Sequence, residues 1–344
     1  MIKYFTGSIF VTIIGLIAST FVGFYYGGTF QAALNALFLA AILSVLEVSL
    51  SFDNAVVNAT VLKKMTPQWQ RRFITWGILI AVFGMRLVFP LAVVSIIAQI
   101  NPWEALVLAA TNPARYEEIM LSSHVALAGF GGAFLLMVGL SYFFDHEKEV
   151  HWVSFIEAPL AQLGKVETAE IAISLLTFYG LSRLLQAPED QVTFLVAGMF
   201  GLVTYILVDG ISAFLQLPSG ESAVDVQKAS VAMFIYLEIL DASFSFDGVV
   251  GAFALTNNLF IIGIGLGIGA MFVRSLTILL VEKDTLSHFR YLEHGAFYAI
   301  GALAVLMLLG AFVHIPEAVT GLIGALFIGL SIVSSIRYQR KHGA

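Results

Sequence analysis

The sequence predicts an all-α polytopic membrane protein, a bundle of about 8 to 10 transmembrane helices, and three observations carry that expectation. The chain of 344 residues is 59% hydrophobic and only 12% charged, where soluble domains carry roughly one-quarter charged residues. Its mean hydropathy is +0.92. Apolar runs near the roughly 20 residues that cross a bilayer recur along the whole length, at about 8–26, 31–62, 73–99, 119–144, 167–186, 190–217, 229–255, 258–281, 290–313 and 317–336.

Taken in order, the 8–26 run follows Lys3 alone and lacks a small-residue cleavage pattern, so it is expected to stay as a helix rather than leave as a signal peptide. The 31–62 run is long for one span and carries Glu47 and Asp53. After it, KKMTPQWQRR gathers Lys63, Lys64, Arg71 and Arg72. With the N-terminus inside, this loop falls on the same side as Lys3, Lys148, Lys165, Lys228, Lys283, Arg290, Arg337, Arg340 and Lys341, leaving Arg115 outside. That asymmetry is the one expected when cytoplasmic loops are rich in Lys and Arg, so both termini are expected to be cytoplasmic, in a prokaryotic inner membrane. The stretch DHEKEVHWVSFIEAPLAQLGK at 145–165 mixes Trp152, Phe155 and Ile156 with charges and reads as an interfacial connection. GIGLGIGA at 263–270 lies inside an apolar run with no preceding strand, which points to close helix packing rather than a nucleotide loop. The absence of cysteine removes disulfides and thiolate ligands. The net charge of −6 resides in short loops and intramembrane acids, and no nucleic-acid partner is expected from it.

The chain repeats itself. LEVSLSFDNAVV at 46–57 returns as LDASFSFDGVV at 240–250, so that Glu47 meets Asp241 and both copies obey acid-x-Ser-x-Ser-Phe-Asp. Ser49, Ser51 and Asp53 meet Ser243, Ser245 and Asp247. A G-x8-R pattern follows in each half, Gly77 with Arg86 and Gly265 with Arg274; His124 then corresponds to His294, and FYGLS at 178–182 to FIGLS at 327–331. The division falls at 1–186 and 187–344 of one transmembrane domain. About five helices separate the copies, so the charge-derived topology runs them in opposite directions, the inverted-repeat plan of many secondary transporters.

Ionisable groups at membrane depth cost about 2.5 to 3.5 kcal/mol each on insertion scales and by default face a functional pathway. On an ideal helix Glu47, Ser51 and Asn54 share a face while Asp53 points about 120° away. Convergence of each acid pair therefore requires a broken or widened turn, expected near 49–54 and again near 243–248. Carboxylates, hydroxyls and an amide with no sulfur suit a hard divalent cation, Mn2+, Mg2+ or Ca2+, and do not rank the three. Candidate metal-site residues are Glu47, Asp53, Asn54, Asp241 and Asp247. Around them stand Ser49, Ser51, Ser243 and Ser245, each able to bond a helix carbonyl instead, and Glu238. Arg86 and Arg274 either pair with the acids or gate the cavity; two arginines cannot neutralise Glu47, Asp53, Glu238, Asp241 and Asp247 together. His124 and His294 are candidate proton acceptors or transient ligands, or else interfacial histidines. Asp209, deep in its run and without a repeat partner, is a weaker candidate.

The Glu47–Asn54 motif and its degenerate second copy resemble the signature of TerC-type integral membrane proteins, which group with LysE-type exporters. The resemblance runs through both repeats and implies an inverted-repeat fold, export of metal ions with manganese as the substrate, and metal-site roles for Glu47, Asp53, Asn54, Asp241 and Asp247. Gly248 departs from it by standing where the first copy has Asn54, and the helix count exceeds the seven or so that it implies. The expected activity is thus alternating-access export of a divalent cation through the bilayer, with protons exchanged on the same carboxylates. The alternative is a membrane partner that delivers metal or answers stress without transporting. An intramembrane aspartyl protease fits poorly, because Asp53 and Asp247 follow Ser-Phe rather than standing in GxGD; no enzyme is expected.

Overall fold

Fifteen α-helices and two π-helical stretches, with their connecting turns, account for the described residues of the computed structural model, which are 2–77, 79–166, 168–215, 223–283, 288–313 and 315–342. Seven of the helices are long and apolar enough to cross a membrane, and an eighth crossing is available from a bent pair. The protein is a polytopic helical membrane bundle. Two of the ten runs expected to span fall outside that set. The 167–186 run yields only α10 (Ala169–Ser182), and the 229–255 run lies in α12 (Ala223–Ala252), which carries its acids mid-helix.

α1 (Ile2–Gly27) turns through Gly28, in the left-handed region at φ 64°, into α2 (Phe30–Leu50). Thr29 caps α2 by accepting the Ala32 N–H at 3.1 Å. The long 31–62 run is broken as expected: α2 ends at Leu50 and α3 (Phe52–Leu62) begins after Ser51, whose φ of −101° and ψ of 22° are not helical. The corresponding break near 243–248 is absent, and α12 is continuous through the second motif. Ser243 bonds back to the Ile239 carbonyl at 3.0 Å, the pattern of a serine held within a helix, whereas Ser51 turns its hydroxyl to the Glu47 carboxylate at 3.3 Å.

α4 (Pro67–Arg72) leads into π-helical turns at Phe73–Gly77 and Ile80–Val88. Sequence explains the second. Pro90 has no N–H to give the Arg86 carbonyl and its ring crowds that turn, so the helix widens and the Phe89 N–H reaches back five residues to Gly84. α5 (Phe89–Ala98) then meets α6 (Pro102–Thr111) at 102°. The corner is built from Gln99 at φ 54° and an Asn101–Glu104 capping box. After α7 (Pro113–Ser122), α8 (His124–Phe144) packs along α11 (Pro188–Leu215) and α14 (Leu292–Gly310). α13 (Leu259–Glu282) lies against α1, α2 and α3, and α15 (Glu317–His342) closes against α14 and α2. The GIGLGIGA glycines do pack closely: a Cβ on Gly265 would sit 2.6 Å from Leu43 Cβ and 3.0 Å from the Ala40 carbonyl of α2.

The 145–165 connection holds more than an interfacial surface. Its helix α9 (Ser154–Leu163) carries Glu157, which is 0% exposed. One carboxylate oxygen accepts the Trp152 and Val153 N–H groups at 3.1 and 3.0 Å, and the other faces Lys148 Nζ at 3.3 Å and His294 Nε2 at 3.5 Å. Burial lowers the Lys148 pKa below the ordinary lysine value, while the Glu157 charge opposes that shift. Removing one member of such a buried pair strands its partner, so Glu157→Ala is expected to destabilise the protein by about 3 kcal/mol. Glu157→Gln, which keeps an oxygen for the two main-chain donors, should cost less. Thermal melts of the two variants in detergent check the order.

Candidate cation site

Five helical segments meet around a cavity of about 10 Å³, room for about one water molecule or a small cation. α2 brings Glu47, and the break contributes Ser51. α3 turns Asn54 and Asn58, one helical turn apart, to the same cavity, and α12 adds Asp241. The widened π-turn delivers Arg86, and α13 delivers Ala270, Val273 and Arg274. Glu47, Asn54, Asn58, Arg86, Asp241 and Arg274 are all buried.

The charged groups form two sets. The Arg86 guanidinium bonds the Glu47 carboxylate through Nη2, and its Nη1 stands 3.9 Å from Asp241 Oδ2, so that one side chain spans both motif acids. Arg274 is held separately, 3.4 Å from Glu238, 3.3 Å from the Phe73 carbonyl and 3.9 Å above the Phe73 ring. Glycines admit both sets. A Cβ on Gly269 of α13 would lie 2.5 Å from Glu47 Cγ, and one on Gly77 would lie 2.7 Å from the Glu238 carboxylate and 2.9 Å from the Arg274 guanidinium carbon. The amides behave differently. Asn54 Oδ1 and Asn58 Oδ1 are buried and have no hydrogen-bond partner among the described residues, where most buried polar atoms find one.

A model of the family described as "Protein of unknown function (DUF475)" matches residues 52–342 of the chain. The chain belongs to the DUF475 family. No curated protein and no solved structure matches it. The DUF475 match opens at the break, so it takes in Asn54, Asn58, Arg86, Asp241 and Arg274 and leaves out α1 and α2 with Glu47.

Of the metal-site residues expected from sequence, this DUF475 protein gathers Glu47, Asn54 and Asp241. Asp53 does not line the cavity. It sits at the second position of α3, where the helix N-terminus favours a carboxylate; one oxygen accepts the Asn54 N–H at 3.0 Å and the other lies 2.9 Å from where a Cβ on Gly324 of α15 would be. The six-residue separation from Glu47 still turns it away, because the break is a single residue. The side chains of Asp247 and Ser245 lie outside the described residues. Ser49 is exposed and bonds the Val45 carbonyl at 2.7 Å. Glu238 and Ser243 line a second, apolar cavity of about 250 Å³ with Met85, Phe89 and Met307. His124 and Asp209 are exposed, and His294 is buried with Nε2 2.8 Å from the Val150 carbonyl; none of the three lines the small cavity. Among the described residues no three His, Asp or Glu side chains form a metal-holding group, so amide and hydroxyl oxygens must complete any cation shell here. Asn58 escaped the sequence reading; its signal was the spacing N-A-V-V-N, two amides on one face of an apolar helix.

Proposed function

We propose that this DUF475 protein exports a hard divalent cation, manganese ahead of magnesium and calcium, by alternating access, with Glu47, Ser51, Asn54, Asn58 and Asp241 as its oxygen seat. The two orphaned amide oxygens carry the reading. Leaving a buried acceptor unpaired costs about 1–3 kcal/mol, and two of them facing two carboxylates across a water-sized space offer a charge and oxygen count that a divalent cation satisfies. The residue types exclude the sulfur and imidazole shells that would select softer metals. The resemblance of the Glu47–Asn54 motif to TerC-type proteins supports manganese and outward transport. Because a carboxylate must be deprotonated to bind metal, protons compete, and affinity falls as pH drops.

Inverted repeats at 1–186 and 187–344 complete the proposal. Reciprocal packing supports them: Gly265 of the second half lies under α2 of the first, and Gly77 of the first lies under the Glu238–Arg274 pair of the second. In this plan the segment after α3 and the segment after α12 leave on opposite faces of an inner membrane, with both termini cytoplasmic. Gln68 and Asn257 are exposed and the chain has no cysteine, so a single cysteine introduced at either position reports sidedness cleanly. An impermeant thiol reagent is expected to label the Gln68→Cys variant from inside and the Asn257→Cys variant from outside, and labelling of both from one face overturns the inverted plan. Function is tested by Mn2+ flux into proteoliposomes of the purified protein. Asn54→Ala with Asn58→Ala is expected to stop flux; binding of Mn2+ by the native protein without any flux would instead mark a metal-delivery partner.

A further inference from the structure

We infer that Arg86 is a tethered occupant of the cation seat, a side-chain cation that holds Glu47 and Asp241 when no substrate is bound and whose return drives the substrate out. The inference rests on the cation seat proposed above. Its starting point is an asymmetry in what Arg86 satisfies. The guanidinium reaches both carboxylates but has only donors and a fixed planar fork, and among the described residues Asn54 Oδ1 and Asn58 Oδ1, lining the same cavity, remain unpaired. Arg86 thus fills the charged part of the seat and leaves the neutral oxygens waiting, whereas a divalent ion takes carboxylates and amide oxygens together.

Charge counting makes the two occupants exclusive. The charged side chains described as lining the cavity, Glu47, Asp241, Arg86 and Arg274, sum to zero, and a divalent cation added with both arginines in place raises the sum to two positive charges. In a buried cavity of this size like charges repel strongly. Substrate entry therefore requires Arg86 to give up its hold, and the pull of the carboxylates on the displaced guanidinium opposes retention of the ion. A seat of two carboxylates and three neutral oxygens would otherwise bind tightly and release slowly. Position supports the role, since Arg86 is carried on the π-helical turn ahead of Pro90, and such turns accompany functional sites. Arg274 lines the same cavity but is committed to Glu238, the Phe73 carbonyl and the Phe73 ring, which makes it the internal control.

The test uses the full-length purified protein, with Mn2+ as the probe. Calorimetric titration is expected to show Arg86→Gln binding Mn2+ about tenfold tighter than the native protein or more, a coupling of ordinary size between competing occupants, while Mn2+ flux in proteoliposomes falls. Arg274→Gln, which removes a charge already paired with Glu238, should tighten binding much less than Arg86→Gln. Arg86→Lys, which keeps a tethered charge but loses the fork across two carboxylates, should bind with intermediate affinity. If Arg86→Gln does not fold, Arg86→Lys decides by the same reading, tighter binding than native being expected. Binding unchanged or weakened overturns the inference and leaves Arg86 as a structural ion pair, whose loss would lower only the melting temperature. Tighter binding by Arg86→Gln with no flux through the native protein overturns export and upholds the tethered occupant; flux through the native protein with no tightening does the reverse.

Discussion

Glu47→Gln and Asp241→Asn are each expected to abolish Mn2+ transport in proteoliposomes and to weaken Mn2+ binding by about a hundredfold or more, since even outer-shell partners of a metal contribute about 10- to 100-fold. Both replacements keep nearly the native volume and remove one charge, so the change reports on the seat rather than on packing. They should differ in stability. Glu47 is in direct contact with Arg86 and Asp241 stands 3.9 Å from it, so Glu47→Gln weakens the closer of these two buried contacts and should melt earlier. Asp53→Asn completes the comparison. No basic side chain pairs with Asp53 among the described residues, and it does not line the cavity, so its Mn2+ affinity is expected to stay near native. Calorimetric titration and thermal melts of the three variants read all of this, and retained transport by Glu47→Gln would sink the proposed seat.

Gly269→Ala is expected to lower stability by about 1–3 kcal/mol, the usual cost of forcing a methyl group into a packed interior. Inside a helix alanine normally exceeds glycine by up to about 1 kcal/mol, so the sign itself is informative. At Gly269 the new Cβ would lie 2.9 Å from the Ser44 carbonyl and 2.5 Å from Glu47 Cγ, and a backbone oxygen cannot step aside as a flexible side-chain tip can. Gly329 of α15 has nothing within 4 Å of the same position, and Gly329→Ala should be neutral or stabilising. Because Gly269 seats the residue that holds Arg86, the first variant should also impair Mn2+ binding, and the second should not. Melting curves and titrations of the pair separate the packing effect from helix propensity.

Particular residues show what was legible in the sequence. The break at Ser51 was expected as the means of bringing Glu47 and Asp53 onto one face; the break is present, but Asp53 still does not join Glu47 at the cavity, where Asp241 does. The second break did not occur. Equal motifs do not force equal backbones, and the partner of Asn54 is Gly248, which brings no side chain to the cavity. Asp53 was misplaced because its surroundings depend on Gly324, distant in the chain. Asn58 is an uncharged amide in an apolar run, so neither charge nor hydropathy marks it. Glu157 was missed for a related reason: its burial depends on His294 arriving from another helix. The widened turn that aims Arg86 leaves no mark in hydrophobic periodicity; Pro90 was the sole local sign of it.

The interruption at Ser51 turns one long helix into two levers joined at a single non-helical residue. The end of α2 is pressed against α13 through Glu47 on Gly269 and against α15 through Leu50 at Gly321, while the start of α3 bears on α15 through Asp53 over Gly324 and lies along α13. Glu47 rides on the first lever, and Asn54 and Asn58 ride on the second. A small tilt between them, taken up by the dihedral angles of a single residue, would draw the Glu47 carboxylate away from the amide oxygens and open the proposed seat without unwinding a helical turn. A shift of either α13 or α15 would reach that seat through this joint.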